Sequence, residues 1–218
     1  MIHDAKVFKS KTRMNSENNL EEFIENSKNN LTAFGEDAWK ENSWFTYKGD
    51  SKVVARFATN MKPSDAYNFT PISMPLLEFA KAYIRRSYSI KPVVTLNKHI
   101  KAICLVEEQL FKIKGTSDIL ELDGSVLEGL PLLIKERVIA YSTKTMIGYR
   151  LEELFDFLRA ELITPTLPKW KNPFPKKRDL TVTLDLNGKE HRSEKLPSDE
   201  VMMLMAGQPP HKVLKRII

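Results

Sequence analysis

The chain has 218 residues, 42% of them hydrophobic and 28% charged, with one cysteine and a formal net charge of +6. No apolar run approaches the roughly 18 residues of a membrane span, and the opening MIHDAKVFKSKTR lacks the apolar segment of a secretory signal. Cys104 alone cannot make an internal disulfide, so it reads as a core residue of a protein from the reducing cytoplasm.

Residues 18–28, NNLEEFIENSK, read as a short helix with Leu20, Phe23 and Ile24 on one side and Asn18 or Asn19 as its cap. The aromatic segment that follows carries Trp39, Trp44, Phe45 and Tyr47, all expected to pack on a helical body. KVVARFAT, residues 52–59, predicts one short strand. Residues 60–72, with Pro63 and Pro71, form a connector. Residues 1–72 thus make a small mixed N-terminal extension that does not look able to fold alone.

From Ser73 the pattern turns helical. Leu76, Phe79, Ala80, Tyr83 and Ile84 follow the helical spacing, with Lys81, Arg85 and Tyr88 on the opposite stripe and Arg86 beside it. Thr95 to Gly115 predicts a long helix with Leu96, Ile100, Ile103 and Leu110 inward and Lys98, His99 and Lys101 on its flank. Residues 123–138 predict a shorter helix begun at Asp123 or Ser125 and disturbed at Pro131. Ser142-Thr143 lead into a fourth, with Ile147, Leu151, Leu154, Phe155, Leu158 and Leu162 on one face and Pro165 at its end. Four helices on short links predict an antiparallel bundle over 73–166.

Residues 167–179, LPKWKNPFPKKRD, form a proline-stiffened basic strap in which Trp170 is placed to pin the chain to the bundle. LTVTLDL, residues 180–186, predicts a strand with one buried face, Asn187-Gly188 a turn, and LPSDEV a helix from Ser198. The last apolar residues have too little chain around them for a core, so a further domain is expected to follow.

The charge is segregated. Residues 73–115 hold eight basic and three acidic residues, and residues 165–195 eight and four, while 116–138 hold two and five. Two positive blocks around an acidic one suit a polyanion such as duplex DNA. Lys81 with Arg85, and Lys98 with Lys101, are each one turn apart and can follow a line of phosphates. Ser142, Thr143, Lys144 and Thr145 at a helix start offer hydroxyls and free N–H groups to an anion. Arg150 lies less than two turns on, within reach of a groove edge. Lys169, Lys171, Lys176, Lys177 and Arg178 on the strap complete a candidate DNA-binding set, together with Arg86. The chain contains no glycine-rich phosphate loop, HExxH, paired CxxC or GxSxG elbow. No cofactor, metal or catalytic residue is expected.

The order of these elements resembles the N-terminal half of the tyrosine recombinases, the phage-integrase family. The matching residues are LEELFDFLRAELI, Asn172-Pro173 in the connector, and Leu196-Pro197-Ser198-Asp199-Glu200. MPLLEFAKAYIRRSYSIKP resembles a subgroup of large bacterial integrase-like proteins. The resemblance implies a SAM-like core-binding bundle at 73–166. At 167–218 it implies a basic linker and the start of a truncated catalytic domain. It further implies a cytoplasmic protein, associated with the nucleoid when bound, that binds double-stranded DNA and contacts other protomers. The family's catalytic histidines, arginines and nucleophilic tyrosine have no match, so this chain is expected to bind DNA without cleaving it, whereas a full-length parent would exchange strands. The alternatives are a protein-interaction module built on residues 39–47 and 213–218, and a stand-alone regulator derived from an integrase.

Overall fold

The structure, a computed structural model, describes residues 8–58, 70–93 and 95–174. These residues are mainly helical, with five α-helices and one two-stranded antiparallel sheet. The strand expected at 180–186, the turn at Asn187-Gly188, the helix from Ser198, and Lys176, Lys177 and Arg178 lie outside them.

Helix α1 spans Ser16–Asn29 and is capped by Asn15, whose side chain accepts the Asn18 N–H at 2.8 Å. The cap therefore sits a turn earlier than Asn18 or Asn19, and Asn19 is instead buried. After a 3₁₀ turn over Asp37–Lys40, strand β1 (Ser43–Lys48) pairs with β2 (Ser51–Arg56). One strand was expected here, and two form, because SWFTYK alternates. Trp44 is fully buried, whereas Phe45 and Tyr47 remain 59% and 62% exposed. Of the four aromatics expected to pack inward, only Trp39 and Trp44 do.

Helices α2 (Leu76–Ile90), α3 (Asn97–Lys114), α4 (Gly124–Glu136) and α5 (Tyr141–Ala160) follow the sequence periodicity. Asp123 caps α4 through the N–H groups of Ser125 and Val126, and Pro131 lies inside that helix. Gly115 closes α3 in the left-handed conformation, φ 71°, where a residue without Cβ pays no steric cost. Helix α3 is the hub, touching α2, α4, α5 and β2. One apolar cluster runs from Phe8 and Phe23 through Trp44 and Phe57 to Leu154 and Trp170. The ring of Phe23 joins three helices, lying 6.1 Å from that of Phe79 and 5.0 Å from that of Phe157.

Helix α2 is buried on more than its apolar stripe. Lys81 and Arg85 are 4% and 0% exposed, so the outward stripe expected for them does not exist. The Arg85 guanidinium donates to the carbonyls of Lys28 (3.1 Å) and Gly35 (2.7 Å). Its charge lies 5.3 Å from the Trp39 ring and 5.1 Å from the Trp44 ring, within cation–π range. Lys81 Nζ donates to the Trp39 carbonyl at 2.7 Å, and Trp39 Nε1 donates to Glu78 at 2.7 Å. Glu78, Lys81 and Arg85 therefore sit at helical spacing and hold the aromatic segment onto α2. Burial lowers the pKa of both basic groups from their ordinary values, by disfavouring their charged forms.

Replacing Arg85 by alanine strips two carbonyls of their donor and leaves a cavity between two indoles. The expected loss is about 2–4 kcal/mol in urea unfolding. A change below about 0.5 kcal/mol, the range of an ordinary surface residue, would show that this anchor does not hold the segment.

Candidate nucleic-acid interface

The end of α5 and the strap set the geometry. From Thr164 the chain doubles back along α5. Leu167 is buried, and Pro168 packs near Gly124 at the start of α4. Trp170 is 6% exposed and meets Phe155 edge-on at 5.6 Å. Asn172 Nδ2 donates to the Thr145 carbonyl at 3.1 Å, while its Oδ1 accepts the Phe174 N–H at 2.9 Å. Phe174 then meets Tyr141 edge-on, with ring centroids 6.4 Å apart. Residues 167–174 thus run from the last turns of α5 to its first. Leu167, Trp170 and Asn172 face the helix, and Lys169 and Lys171 are left in solvent.

Gly148 makes this path possible. A Cβ placed there would lie 2.0 Å from Asn172 Oδ1 and 2.5 Å from its Cγ. The missing side chain lets the amide sit against the helix and bond its backbone. Sequence reasoning placed Trp170 as the pin but missed Asn172 as a latch. The signal was a small residue in the helix opposite an Asn-Pro step.

The start of α5 gathers further candidates. Lys98 on α3 reaches Thr143 Oγ1 at 3.5 Å. Burial, with a smaller contribution from the neighbouring Lys101, lowers the pKa of Lys98. Lys144 donates to the Lys135 carbonyl at 2.7 Å. Lys98, Thr143, Lys144 and, through Asn172, Lys171 therefore meet around the first two turns of α5. Among the described residues no ion pair engages Lys98, Lys101, Lys144, Lys169 or Lys171.

The other candidates are placed differently. Lys81 and Arg85 are interior tethers, not surface cations. Arg86 is half-buried, pairs with Glu161 at 3.3 Å and covers the Phe157 ring at 4.5 Å. Arg150, expected at a groove edge, is held by Glu153 at 2.6 Å. Thr145 is 4% exposed, so its hydroxyl is not offered at the helix start. Lys81 and Arg85 share a cause: a neighbouring element covers their helix face, and each finds a partner inside the fold.

His99 is buried too, not on a polar flank, and its Nδ1 has no partner. Burial pushes its pKa from 6.5 down to about 4; nearby Arg150 adds to this, and Glu153 opposes it. Cys104 is half-buried against the core. Its Sγ donates to the Ala58 carbonyl at 3.4 Å, and burial pushes its thiol up to about 12. That is the environment of an unreactive thiol.

Comparison with known proteins returns no match, whether to a family profile, a curated protein or a solved structure. Among the described residues no helix is long and apolar enough to cross a membrane. No cluster of three or more histidine, cysteine, aspartate or glutamate side chains there is arranged to hold a metal ion.

Two outcomes are expected. Gly148→Ala should dislodge Asn172 and raise amide exchange across residues 170–174, at a cost of about 1–2 kcal/mol; unchanged protection there would count against the latch. For His99, the unfolded side chain takes up its proton as pH falls through 6.5, and the folded one only near 4. Stability should therefore rise with pH across that window, and acidification from pH 7 to 4 should forfeit about 3 kcal/mol through this group. His99→Leu should flatten that part of the profile in urea titrations at pH 4, 5, 6 and 7.

Proposed function

We propose that this chain is the DNA-binding portion of a tyrosine-recombinase-like integrase, with a SAM-like core-binding bundle in α2–α5, and that it holds duplex DNA without cleaving it. The observation that carries the reading is the convergence of the strap with the start of α5. Lys169 and Lys171 ride outward on a segment fixed by Trp170 and Asn172, and that segment ends where Lys98 and Lys144 stand. A linker with no task beyond flexibility has no need of such anchoring. Anchoring makes sense for cations that must keep a fixed spacing against a phosphate backbone, which positions a protein on DNA without reading its sequence.

The reading rests on a smaller set of cations than the charge pattern offered. Lys81 and Arg85 leave it, and Arg86 and Arg150 are committed to Glu161 and Glu153. Lys98, Lys101, Lys144, Lys169 and Lys171 remain, with Lys176, Lys177 and Arg178 as the basic continuation of the strap in sequence. In this reading a strand-exchange reaction belongs to a longer parent protein and to residues not found in this chain.

The test is a salt titration of duplex binding by fluorescence anisotropy. Each phosphate contact adds roughly 0.9 to the slope of log affinity against log salt. Neutralising Lys98, Lys101, Lys169 and Lys171 together should reduce that slope by about 3 to 4. An unchanged slope, or no duplex binding by the parent chain at low salt, refutes the assignment.

A further inference from the structure

A second surface stands apart from these cations. The β1–β2 register pairs Ser43 with Arg56, Phe45 with Val54 and Tyr47 with Lys52. In a sheet these six side chains share one face, and Trp44, Val53 and Ala55 share the other. The second face is packed into the core, with Trp44, Val53 and Ala55 at 1%, 0% and 0% exposure. The first is open. It presents two large rings at 59% and 62% exposure, a half-exposed valine, a serine, Lys52 and Arg56, and none of these six described side chains is acidic. Lys52 Nζ lies 4.8 Å from the centre of the Phe45 ring.

We propose that this hairpin face is a stacking platform for single-stranded nucleic acid. Two exposed aromatic rings with Lys52 beside them fit a polyanion whose units each carry a flat apolar surface. Charge sets the class of partner: an acidic peptide would satisfy the lysine but would offer little to two adjacent rings. Spacing sets the form. Residues two apart on a strand are roughly 7 Å apart, whereas bases in duplex DNA follow one another at about 3.4 Å. An extended single strand can lay successive bases on Phe45 and Tyr47, and a duplex cannot. The rings are also pre-positioned, because the opposite face of the hairpin is locked by Trp44, and Lys48 ties the turn to the Pro92 carbonyl at 2.7 Å. Lys52 can leave the Phe45 ring and meet a phosphate as a base takes its place.

The inference does not rest on the integrase reading, and a separate experiment decides it. The full chain is titrated with fluorescein-labelled oligo(dT) of twelve nucleotides at low salt. Phe45→Ala and Tyr47→Ala should each weaken binding about tenfold or more, while Tyr47→Phe, which keeps the ring, should bind like the parent. Both rings are exposed, so circular dichroism should show the alanine variants folded. The variant neutralised at Lys98, Lys101, Lys169 and Lys171 should keep its sensitivity to ring removal, so the two surfaces can fail separately. Absence of oligo(dT) binding, equal binding by the alanine variants, or loss in Tyr47→Phe as large as in Tyr47→Ala overturns the proposal. So does ring-dependent self-association without oligo(dT) binding, which would assign the face to a protein contact.

Discussion

A guanidinium with no exposed surface organises this molecule. Arg85 reaches out of α2 to two backbone carbonyls, at Lys28 in the last turn of α1 and at Gly35 in the loop beyond it. Two indoles close over it. Glu78 and Lys81 repeat the device two turns and one turn earlier, on the Trp39 side chain and backbone respectively. A fully apolar stripe could have packed the aromatic segment, but it could not have satisfied those polar groups, and each one left unpaired carries its own desolvation cost. The hairpin, the end of α1 and the 3₁₀ turn are thereby fixed to α2, and through it to the helices behind.

The helices were legible because their apolar residues recur with the helical period and their ends carry recognisable punctuation: Asp123 before α4, Gly115 after α3, Pro165 beyond α5. Periodicity was silent on what covers the other side of a helix. Lys81 and Arg85 have the spacing of a phosphate-binding line and also the spacing of a tether, and only the position of residues 28–39 in space separates the two. The same limit hid β1. Ser43–Lys48 is rich in aromatics, and its two-residue alternation becomes meaningful only once Trp44 is seen inside and Phe45 outside. The latch at Asn172 depends on Gly148, 24 residues away in sequence, a pairing that no local pattern encodes.

The candidate site changed in composition more than in character. Arg86 pairs with Glu161 just past the end of α5, and Arg150 with Glu153 one turn along its own helix, so neither charge is left unpaired. Lysines make up the remainder, with Lys169 and Lys171 exposed and Lys98, Lys101 and Lys144 half-buried. Lysine is a compact, strongly hydrated point charge, whereas arginine offers the rigid fork that recognises base edges. On the nucleic-acid reading, a surface built from Lys98, Lys101, Lys144, Lys169 and Lys171 would suit gripping a backbone more than choosing a sequence.

The doubling-back of residues 167–174 along α5 also alters how far the chain beyond can travel. Were the tether free from Thr164 onward, those ten residues would add roughly 33–36 Å of contour. Glued down to Phe174, they add none. The described chain therefore ends beside the first turn of α5 instead of beyond its last. Residues 167–174 are thus part of the α5 surface and not a spacer, and the few side chains beneath a tryptophan and an asparagine make that difference.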